Sequence, residues 1–149
     1  MIIGIGVDIV KTARFEGMTE RFMARVFTSN ERAYLLGKSH VSAAGMFAAK
    51  EAVAKALGTG FKGFWPSQVE VVHDENGRPG VVLHGEAEII ASGLAGVQNR
   101  ASAEIMDRTS AEVLNEVAAR GPCGYSFHLS ISHTAEDAIA FVVMSCDNV

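Results

Sequence analysis

A single α+β domain, in which a long helix packs against antiparallel strands, is the fold class that the sequence predicts. The chain has 149 residues, the usual size of one domain. An alanine-rich helical pattern covers residues 41–57, and two pairs of short apolar runs each enclose a turn signal. Because 48% of the residues are hydrophobic and 20% are charged, the chain has enough apolar surface for a core, which excludes intrinsic disorder.

The first half of the chain begins with an apolar strand. Residues 2–10 are mostly apolar and β-branched, which predicts a strand buried on both faces, with Asp8 near its end. Over residues 12–25 bulky apolar side chains alternate with arginines at helical spacing, so we expect a short, basic, amphipathic helical region. The spacing of Thr28 and Glu31 is that of a capping box and predicts a helix that ends near Leu36.

The central helix is followed by a predicted hairpin. The helical pattern over residues 41–57 ends at Gly58-Thr59-Gly60, an ordinary helix stop. Residues 69–72 and 80–83 are strand-like, and the Asn76-Gly77 pair between them is a strong reverse-turn signal. These two runs are therefore expected to pair as antiparallel strands.

Further helices and a second hairpin are predicted for the C-terminal half. A short helix over residues 86–92 is expected to close at Gly93, and another helix covers residues 102–120. Residues 125–132 and 138–145 are apolar or alternating and flank a polar turn. This pattern predicts a second antiparallel pair.

Charge and cysteine content exclude several classes of function. With 13 Lys and Arg against 17 Asp and Glu the net charge is −4, so the chain lacks the overall basic character of a nucleic-acid-binding protein. The two cysteines show no disulfide or zinc spacing, which favours a reducing compartment. Neither a membrane span nor a signal-peptide pattern is present, so we expect a cytoplasmic protein without a membrane partner.

Asp8 is the first candidate functional residue. A carboxylate in an apolar strand needs a partner, such as a cation, a metal ion or a helix N-terminus, because burying it unpaired is costly. A structural aspartate satisfied by one such partner is the alternative. Gly4 and Gly6 precede Asp8, but they lie inside the strand and lack the third glycine of a dinucleotide-binding fingerprint, so that interpretation is rejected.

A second candidate group lies on the central helix. Glu51 and Lys55 are one turn apart, in the order that favours a surface ion pair, and such a pair is the simplest interpretation. The alternative is a magnesium site, in which Glu51 and Asp8 supply two carboxylates while a lysine neutralises a phosphate. The glycines of the 58–60 segment would let backbone approach that phosphate closely.

Three hydroxyl groups and an imidazole occur together in Ser130-Ile131-Ser132-His133-Thr134. A serine hydrolase is rejected because the adjacent Ser132 and His133 point to opposite faces of a strand. We expect His133 either to be a hydrogen-bonded structural residue or to donate to a phosphate oxygen.

Four motifs, in this order, resemble those of the holo-acyl-carrier-protein synthase family, the small bacterial 4′-phosphopantetheinyl transferases. They are Gly4-Ile5-Gly6-Val7-Asp8-Ile9-Val10, the segment from Phe47-Ala48-Ala49-Lys50-Glu51 to Gly58-Thr59-Gly60, Asn76-Gly77-Arg78-Pro79, and Leu129-Ser130-Ile131-Ser132-His133-Thr134. The resemblance implies the 4′-phosphopantetheinyl transferase fold and a homotrimer with active sites at subunit interfaces. It also implies transfer of 4′-phosphopantetheine from coenzyme A to a serine of apo acyl carrier protein, releasing adenosine 3′,5′-bisphosphate.

The same resemblance implies a role for each motif. Asp8 and Glu51 would hold Mg²⁺ or Mn²⁺, and Lys55 and His133 would complete the catalytic group. A metal-bound water or Glu51 is expected to act as the general base, with His133 the weaker candidate. The turn at 76–79 is expected to contact coenzyme A across a subunit boundary. The full set of implied coenzyme A contacts is Lys50, Lys55, Gly58, Thr59, Gly60, Asn76, Gly77, Pro79, Ser130, His133 and Thr134.

Acyl carrier proteins are acidic, and a basic face with an apolar centre would steer and dock such a partner. The expected docking residues are Arg14, Met18, Arg21, Phe22 and Arg25. A non-catalytic coenzyme A or nucleotide-binding module and a magnesium-dependent coenzyme A phosphohydrolase are the alternatives. A hydrolase would not need the basic face.

Two features depart from the family pattern. Met46 stands where many relatives have an arginine, so one expected polar contact to coenzyme A is either missing or supplied by another residue. The stretch from about 95 to 124 is longer than the usual link and carries the additional predicted helix. We expect this stretch to be a surface excursion from a single domain spanning residues 1–149.

Overall fold

The computed structural model describes residues 1–98 and 124–146, which form an α+β fold. The strands are β1 (Ile2–Lys11), β2 (Val69–His73), β3 (Pro79–Leu83), β4 (Tyr125–His133) and β5 (Asp137–Cys146). The α-helices are α1 (Glu20–Val26), α2 (Ser29–Leu35), α3 (His40–Ala56) and α4 (Glu86–Gln98). Short 3₁₀ turns cover Thr12–Phe15 and Pro66–Gln68.

The strands form two antiparallel sheets. One has the order β1-β5-β4, and the other is the β2-β3 hairpin, so both predicted hairpins are confirmed. The long helix α3 packs across β1 and β5. The predicted α+β class, with antiparallel strands against a central helix, is therefore the observed architecture.

Strand alternation gives the larger sheet an inner face toward α3 and an outer face away from it. Four alternate residues of β5 are completely buried on the inner face: Ala138, Ala140, Val142 and Met144. The facing side of α3 is rich in buried alanines, which have small side chains and high helix propensity. The helix axis can therefore lie close to the strands.

Gly4 and Gly6 allow the closest part of this approach. A Cβ atom on Gly4 would lie 2.1 Å from the Ala56 carbonyl oxygen, and one on Gly6 would lie 1.8 Å from the Ala52 carbonyl oxygen. Both distances are shorter than any real Cβ contact, so only glycine fits at either position. The two glycines thus have a packing role that no nucleotide fingerprint explains.

The prediction that β1 is buried on both faces is wrong for the single chain. Its inner face meets α3, but Ile5, Val7 and Ile9 of the outer face are exposed, as are Ile139 and Phe141 of β5. These five side chains, 41% to 64% exposed, form what we call the outer apolar face. An uninterrupted apolar run is compatible with a buried strand and also with a strand that has one face open.

Two predicted helices have different limits in the structure. The region over residues 12–25 divides at Gly17, which adopts a φ of +62°, into the 3₁₀ turn and α1. Helix α4 does not close at Gly93 but continues to Gln98, because a single glycine costs a helix only about 1 kcal/mol. The predicted helix over 102–120, and most of the expected excursion, lie outside the described residues.

The remaining helix predictions are confirmed. Thr28 and Glu31 form both hydrogen bonds of a capping box at the start of α2. Helix α3 ends where Gly58 takes a φ of +77° and its N–H donates to the Lys55 carbonyl. Among the described residues, no helix is both long and apolar enough to span a membrane.

Candidate active site

Asp8 and Lys55 form an ion pair at the junction of β1 and α3. Asp8 follows Gly4 and Gly6 on the inner face of β1, and its Oδ1 lies 2.8 Å from Lys55 Nζ. Lys55 Nζ also donates to the Val7 carbonyl oxygen at 2.9 Å. The Asp8 side chain is 16% exposed and that of Lys55 is 50% exposed, so the pair remains open to a ligand.

Glu51 lies one helical turn before Lys55 and close to the same pair. Burial raises the pKa of the Glu51 carboxyl, and the nearby Asp8 carboxylate raises it further, while Lys55 and Arg14 oppose both effects. The effect of Asp8 on Glu51 is the repulsion expected of two nearby carboxylates. Lys55 pairs with Asp8, so the sequence-based alternative of a simple Glu51–Lys55 surface pair does not describe this region.

Asp8, Glu51 and Lys55 form what we call the acidic site. Its two carboxylates are of the type that binds a divalent cation. Carboxylate oxygens are the ligands that Mg²⁺ prefers, and two repelling carboxylates gain from a cation placed between them. The described residues contain no group of three or more metal-ligating side chains, so they offer no complete protein cage. Two carboxylates with coordination positions left for phosphate oxygens are the arrangement Mg²⁺ commonly uses at phosphoryl sites.

A second group of predicted residues lines a cleft of about 210 Å³ between α3, the β2-β3 hairpin and the end of β4. Met46, Gly77, Pro79 and His133 all line it. Gly77 adopts a φ of +77° in the hairpin turn, which only glycine adopts easily. The structure therefore brings the turn motif and the histidine motif together in one chain.

The acidic site and this cleft lie on opposite sides of α3. Met46 lines the cleft and Lys55 belongs to the acidic site, and the two are nine positions apart, which is about two and a half helical turns. Ser42 of the cleft and Glu51 of the acidic site are also nine positions apart, so they too point in opposite directions from the helix. One chain therefore presents the two predicted parts of the site in different directions.

Lys50, an expected coenzyme A contact, is not available to a ligand. Its side chain is completely buried, and Nζ donates to Glu31 Oε2 at 2.8 Å and to the carbonyl oxygens of Pro66 and Val69. Burial lowers the pKa of the Lys50 ammonium, and the Glu31 carboxylate opposes this effect. All three ammonium protons are engaged, so Lys50 is a structural residue.

Other expected coenzyme A contacts lie on different elements: Ser130 on β4, Thr134 in the turn after β4, and Thr59 and Gly60 after α3. Ser130 lies on the outer face of β4, opposite in direction to His133, because the two residues are an odd number of positions apart. The Thr134 hydroxyl accepts hydrogen bonds from the N–H groups of Glu136 and Asp137 in its own turn. Thr59 and Gly60 are half-buried after α3, where the Gly60 N–H donates to the Ala54 carbonyl oxygen.

The expected docking residues do not form one continuous helix face. Arg14 lies on the 3₁₀ turn with its guanidinium 6.0 Å from the Phe47 ring centroid, near Glu51. Met18 is half-buried against the core. Arg21, Phe22 and Arg25 lie on α1 and line a separate groove.

The structure adds residues that the sequence reasoning missed. Tyr34 and His73 also line the cleft, and their rings stack with centroids 4.3 Å apart. Lys38 Nζ lies over the Tyr34 ring, 4.3 Å from its centroid. These three residues come from different segments and follow no shared motif, so only the fold could identify them.

Comparisons with known proteins were made for the whole chain. Residues 4–106 match the model of the 4′-phosphopantetheinyl transferase superfamily. The holo-[acyl-carrier-protein] synthase of Clostridium kluyveri is 36% identical over an alignment covering 100% of this chain and 94% of that protein. That of Clostridium perfringens strain 13 is 37% identical, covering 97% and 94% of the two chains.

Solved structures show the same similarity. The Bacillus anthracis holo-(acyl-carrier-protein) synthase, solved in complex with CoA (3′,5′-ADP), superposes with a TM-score of 0.66 at 32% identity, covering 97% of this chain and 96% of its own. The Neisseria meningitidis enzyme has a TM-score of 0.67 at 29% identity, covering 97% and 99%. The chain therefore belongs to the holo-[acyl-carrier-protein] synthase family of the 4′-phosphopantetheinyl transferase superfamily.

Proposed function

We propose that this protein transfers the 4′-phosphopantetheine arm of coenzyme A to a serine hydroxyl of apo acyl carrier protein and releases adenosine 3′,5′-bisphosphate. The observation that carries the proposal is the acidic site, in which Asp8, Glu51 and Lys55 converge from two of the family motifs. Coenzyme A as donor is supported by two relatives solved with it, those of Bacillus anthracis and Helicobacter pylori.

The proposed reaction is a displacement at phosphorus. The serine oxygen forms a bond to the β-phosphorus of coenzyme A, and the bond from that phosphorus to the bridging oxygen breaks. The bisphosphate leaves with the electron pair, and the serine proton passes to a base. Within one chain, Glu51 is the base that lies beside Asp8, whereas His133 lies across α3 in the cleft and would meet the same coenzyme A only from a second subunit.

The acidic site supplies the charges that this displacement needs. Asp8 and Glu51 would hold Mg²⁺, which when bound neutralises negative charge on a pyrophosphate. The Lys55 ammonium is half-exposed at 2.8 Å from Asp8 and can approach a phosphate oxygen from the solvent side. Its position on α3 fixes it in advance of binding, which is how fixed charges stabilise a transition state.

We further propose a homotrimer in which coenzyme A binds between subunits. The acidic site and the cleft of one chain lie on opposite sides of α3, so two chains can present both to one coenzyme A molecule more readily than one chain can. The outer apolar face supports assembly, because five exposed apolar side chains on adjacent strands are typical of an interaction surface.

The metal-site part of this proposal is tested by Asp8→Asn and Glu51→Gln, which keep side-chain shape and remove charge. Each is expected to lower kcat for transfer by about a hundredfold or more, the usual effect of losing charge stabilisation at a reacting phosphate. Far-ultraviolet circular dichroism should be unchanged. Glu88→Gln, which alters an exposed carboxylate of α4, is the matched control and should retain full activity. Full activity in either site variant would remove Asp8 and Glu51 as metal ligands.

The product assay separates this proposal from hydrolysis. The enzyme with coenzyme A and Mg²⁺ but no carrier should release no adenosine 3′,5′-bisphosphate above background, as measured by chromatography. Steady release without carrier would instead establish a coenzyme A phosphohydrolase.

A further inference from the structure

A groove of about 410 Å³ lies between α1 and the segment that precedes β2. Arg21, Phe22, Arg25 and Val26 form one wall, and Trp65 and Pro66 form the other. Arg21, Phe22 and Arg25 were expected from the sequence to contact a carrier protein, but Trp65 was not. The second wall therefore needs an explanation of its own.

Trp65 is an exposed aromatic side chain on a fixed backbone. Its side chain is 64% exposed, although a tryptophan has a large apolar surface to bury. The backbone N–H of Trp65 donates to Gln68 Oε1 at 3.0 Å, and the Trp65 carbonyl oxygen accepts from the backbone N–H of Gln68 at 2.9 Å. The next residue, Pro66, accepts a hydrogen bond from the buried Lys50 at 3.0 Å. A partner that covered Trp65 would therefore lose little free energy to ordering the backbone that carries it.

The charges on the opposite wall select an acidic partner. Arg21 and Arg25 are one turn apart on α1, and both are exposed. Within the described ranges neither forms an ion pair, whereas the neighbouring Glu20 is bound by Arg32 at 3.0 Å. A helix that carries carboxylates beside one bulky apolar side chain would complement both walls.

Aromatic contacts link the groove to the acidic site. The rings of Phe22 and Phe15 lie 6.2 Å apart, and those of Phe15 and Phe47 lie 5.3 Å apart. The Arg14 guanidinium lies 6.0 Å from the Phe47 ring centroid, and its charge acts on Glu51. A helix seated in the groove would therefore pack beside a series of contacting side chains that leads to the acidic site.

We propose that Trp65 is the apolar anchor of carrier-protein docking, so that an acidic carrier helix lies in this groove between α1 and Trp65. The proposal rests on the transferase function above and extends its docking surface to a residue outside every family motif quoted. Tryptophan and arginine, the residue types on the two walls of this groove, are among those that most often dominate binding energy at protein interfaces.

Tryptophan fluorescence provides a direct test, because Trp65 is the single tryptophan of the chain. Titration with a tryptophan-free apo carrier protein should shift the emission to shorter wavelength and saturate. Arg21→Glu should weaken this binding at low salt by about tenfold or more, and the difference should shrink as salt is added. Unchanged emission while labelled carrier binds, as followed by anisotropy, would overturn the proposal.

Kinetics of Trp65→Ala provide the second test. The KM for carrier protein should rise by about tenfold to thirtyfold, the effect of truncating an interface anchor, while kcat and the KM for coenzyme A stay unchanged. Trp65→Phe should retain most of the affinity, and Leu36→Ala, at a position 81% exposed outside the groove, should have no effect. An unchanged carrier KM in folded Trp65→Ala would overturn this role for Trp65 and leave the transferase function standing. Absence of any transfer by the wild-type enzyme would overturn both.

Discussion

Lys50 and Glu51 are adjacent on α3 and have different environments. Lys50 is buried and joins three segments, namely the capping box of α2, the Pro66 carbonyl and the start of β2. Glu51 is half-buried beside Asp8, where it can meet a ligand. Because successive helix positions point about 100° apart, neighbours in one motif can have separate roles.

The structural role of Lys50 predicts a stability defect in Lys50→Met. The substitution leaves the buried Glu31 carboxylate without its cation, although Glu31 still accepts from the N–H groups of Thr28 and Val71. The free energy of unfolding should fall by about 3–5 kcal/mol, the usual cost of removing one member of a buried ion pair. Urea denaturation measures the change, and adding Glu31→Gln should recover part of it. A raised KM for coenzyme A with unchanged stability would instead make Lys50 a ligand contact.

Sequence reasoning at this scale could identify residues whose chemistry needs a partner. Asp8 was expected to need a partner, such as a cation, a metal ion or a helix N-terminus, and in the structure it pairs with Lys55. Ser130 and Lys50 could not be placed in this way, because a motif states which residues occur together and not which face or depth each occupies. His133 was left open between two roles, and the structure places it in the cleft.

At the scale of elements, the two glycines of β1 determine how closely α3 packs. Gly4 and Gly6 meet the last turns of α3, which places Asp8 at the level of Glu51 and Lys55. The geometry of the acidic site therefore depends on two residues that carry no functional group.

Gly6→Ala tests this dependence. The added Cβ would lie 1.8 Å from the Ala52 carbonyl oxygen, so α3 must move away from β1. We expect a loss of about 1–3 kcal/mol or more in stability, as for overpacked cores, and lower transfer activity in the protein that remains folded. Thermal unfolding and the transfer assay measure the two effects.

Gly93→Ala is the matched control for that substitution. A Cβ on Gly93 meets no atom of the described residues within 4 Å, and alanine favours the helix, so stability should rise slightly. Equal stability and activity in Gly6→Ala and the wild-type protein would show that the glycines do not set the spacing.

The limits of elements were predictable where the signal was local. The capping box and the glycine stop of α3 involve contacts over a few residues, and both predictions were confirmed. The division at Gly17 and the extension of α4 through Gly93 were not predicted. A single glycine in a helical pattern can interrupt the helix, as at Gly17, or be accommodated within it, as at Gly93. Tertiary packing decides which of the two occurs.

At the scale of the whole molecule, the outer apolar face is the main apolar surface that the described residues of one chain leave uncovered. The sequence predicted the strand but could not distinguish a core face from an interface, because both need the same apolar residues. The cytoplasmic location and the role of the stretch near 95–124 remain predictions.

Ile9→Glu tests the proposed assembly. Ile9 is 64% exposed on the outer apolar face, where it pairs with Ile139, and a buried carboxylate there would oppose association. Sedimentation velocity should show trimers for the wild-type protein and smaller species for the variant, with a parallel loss of transfer. Val82→Glu, at an exposed apolar position of β3, should leave the trimer intact. A monomeric wild-type protein with full activity would contradict sites built between subunits.

Intact-protein mass spectrometry of the carrier tests the central claim most directly. Apo acyl carrier protein is incubated with this enzyme, coenzyme A and Mg²⁺, and a parallel sample contains EDTA. We expect a mass gain of one phosphopantetheine group that disappears with EDTA and in Asp8→Asn. No mass gain on a carrier that a known transferase does modify would contradict it.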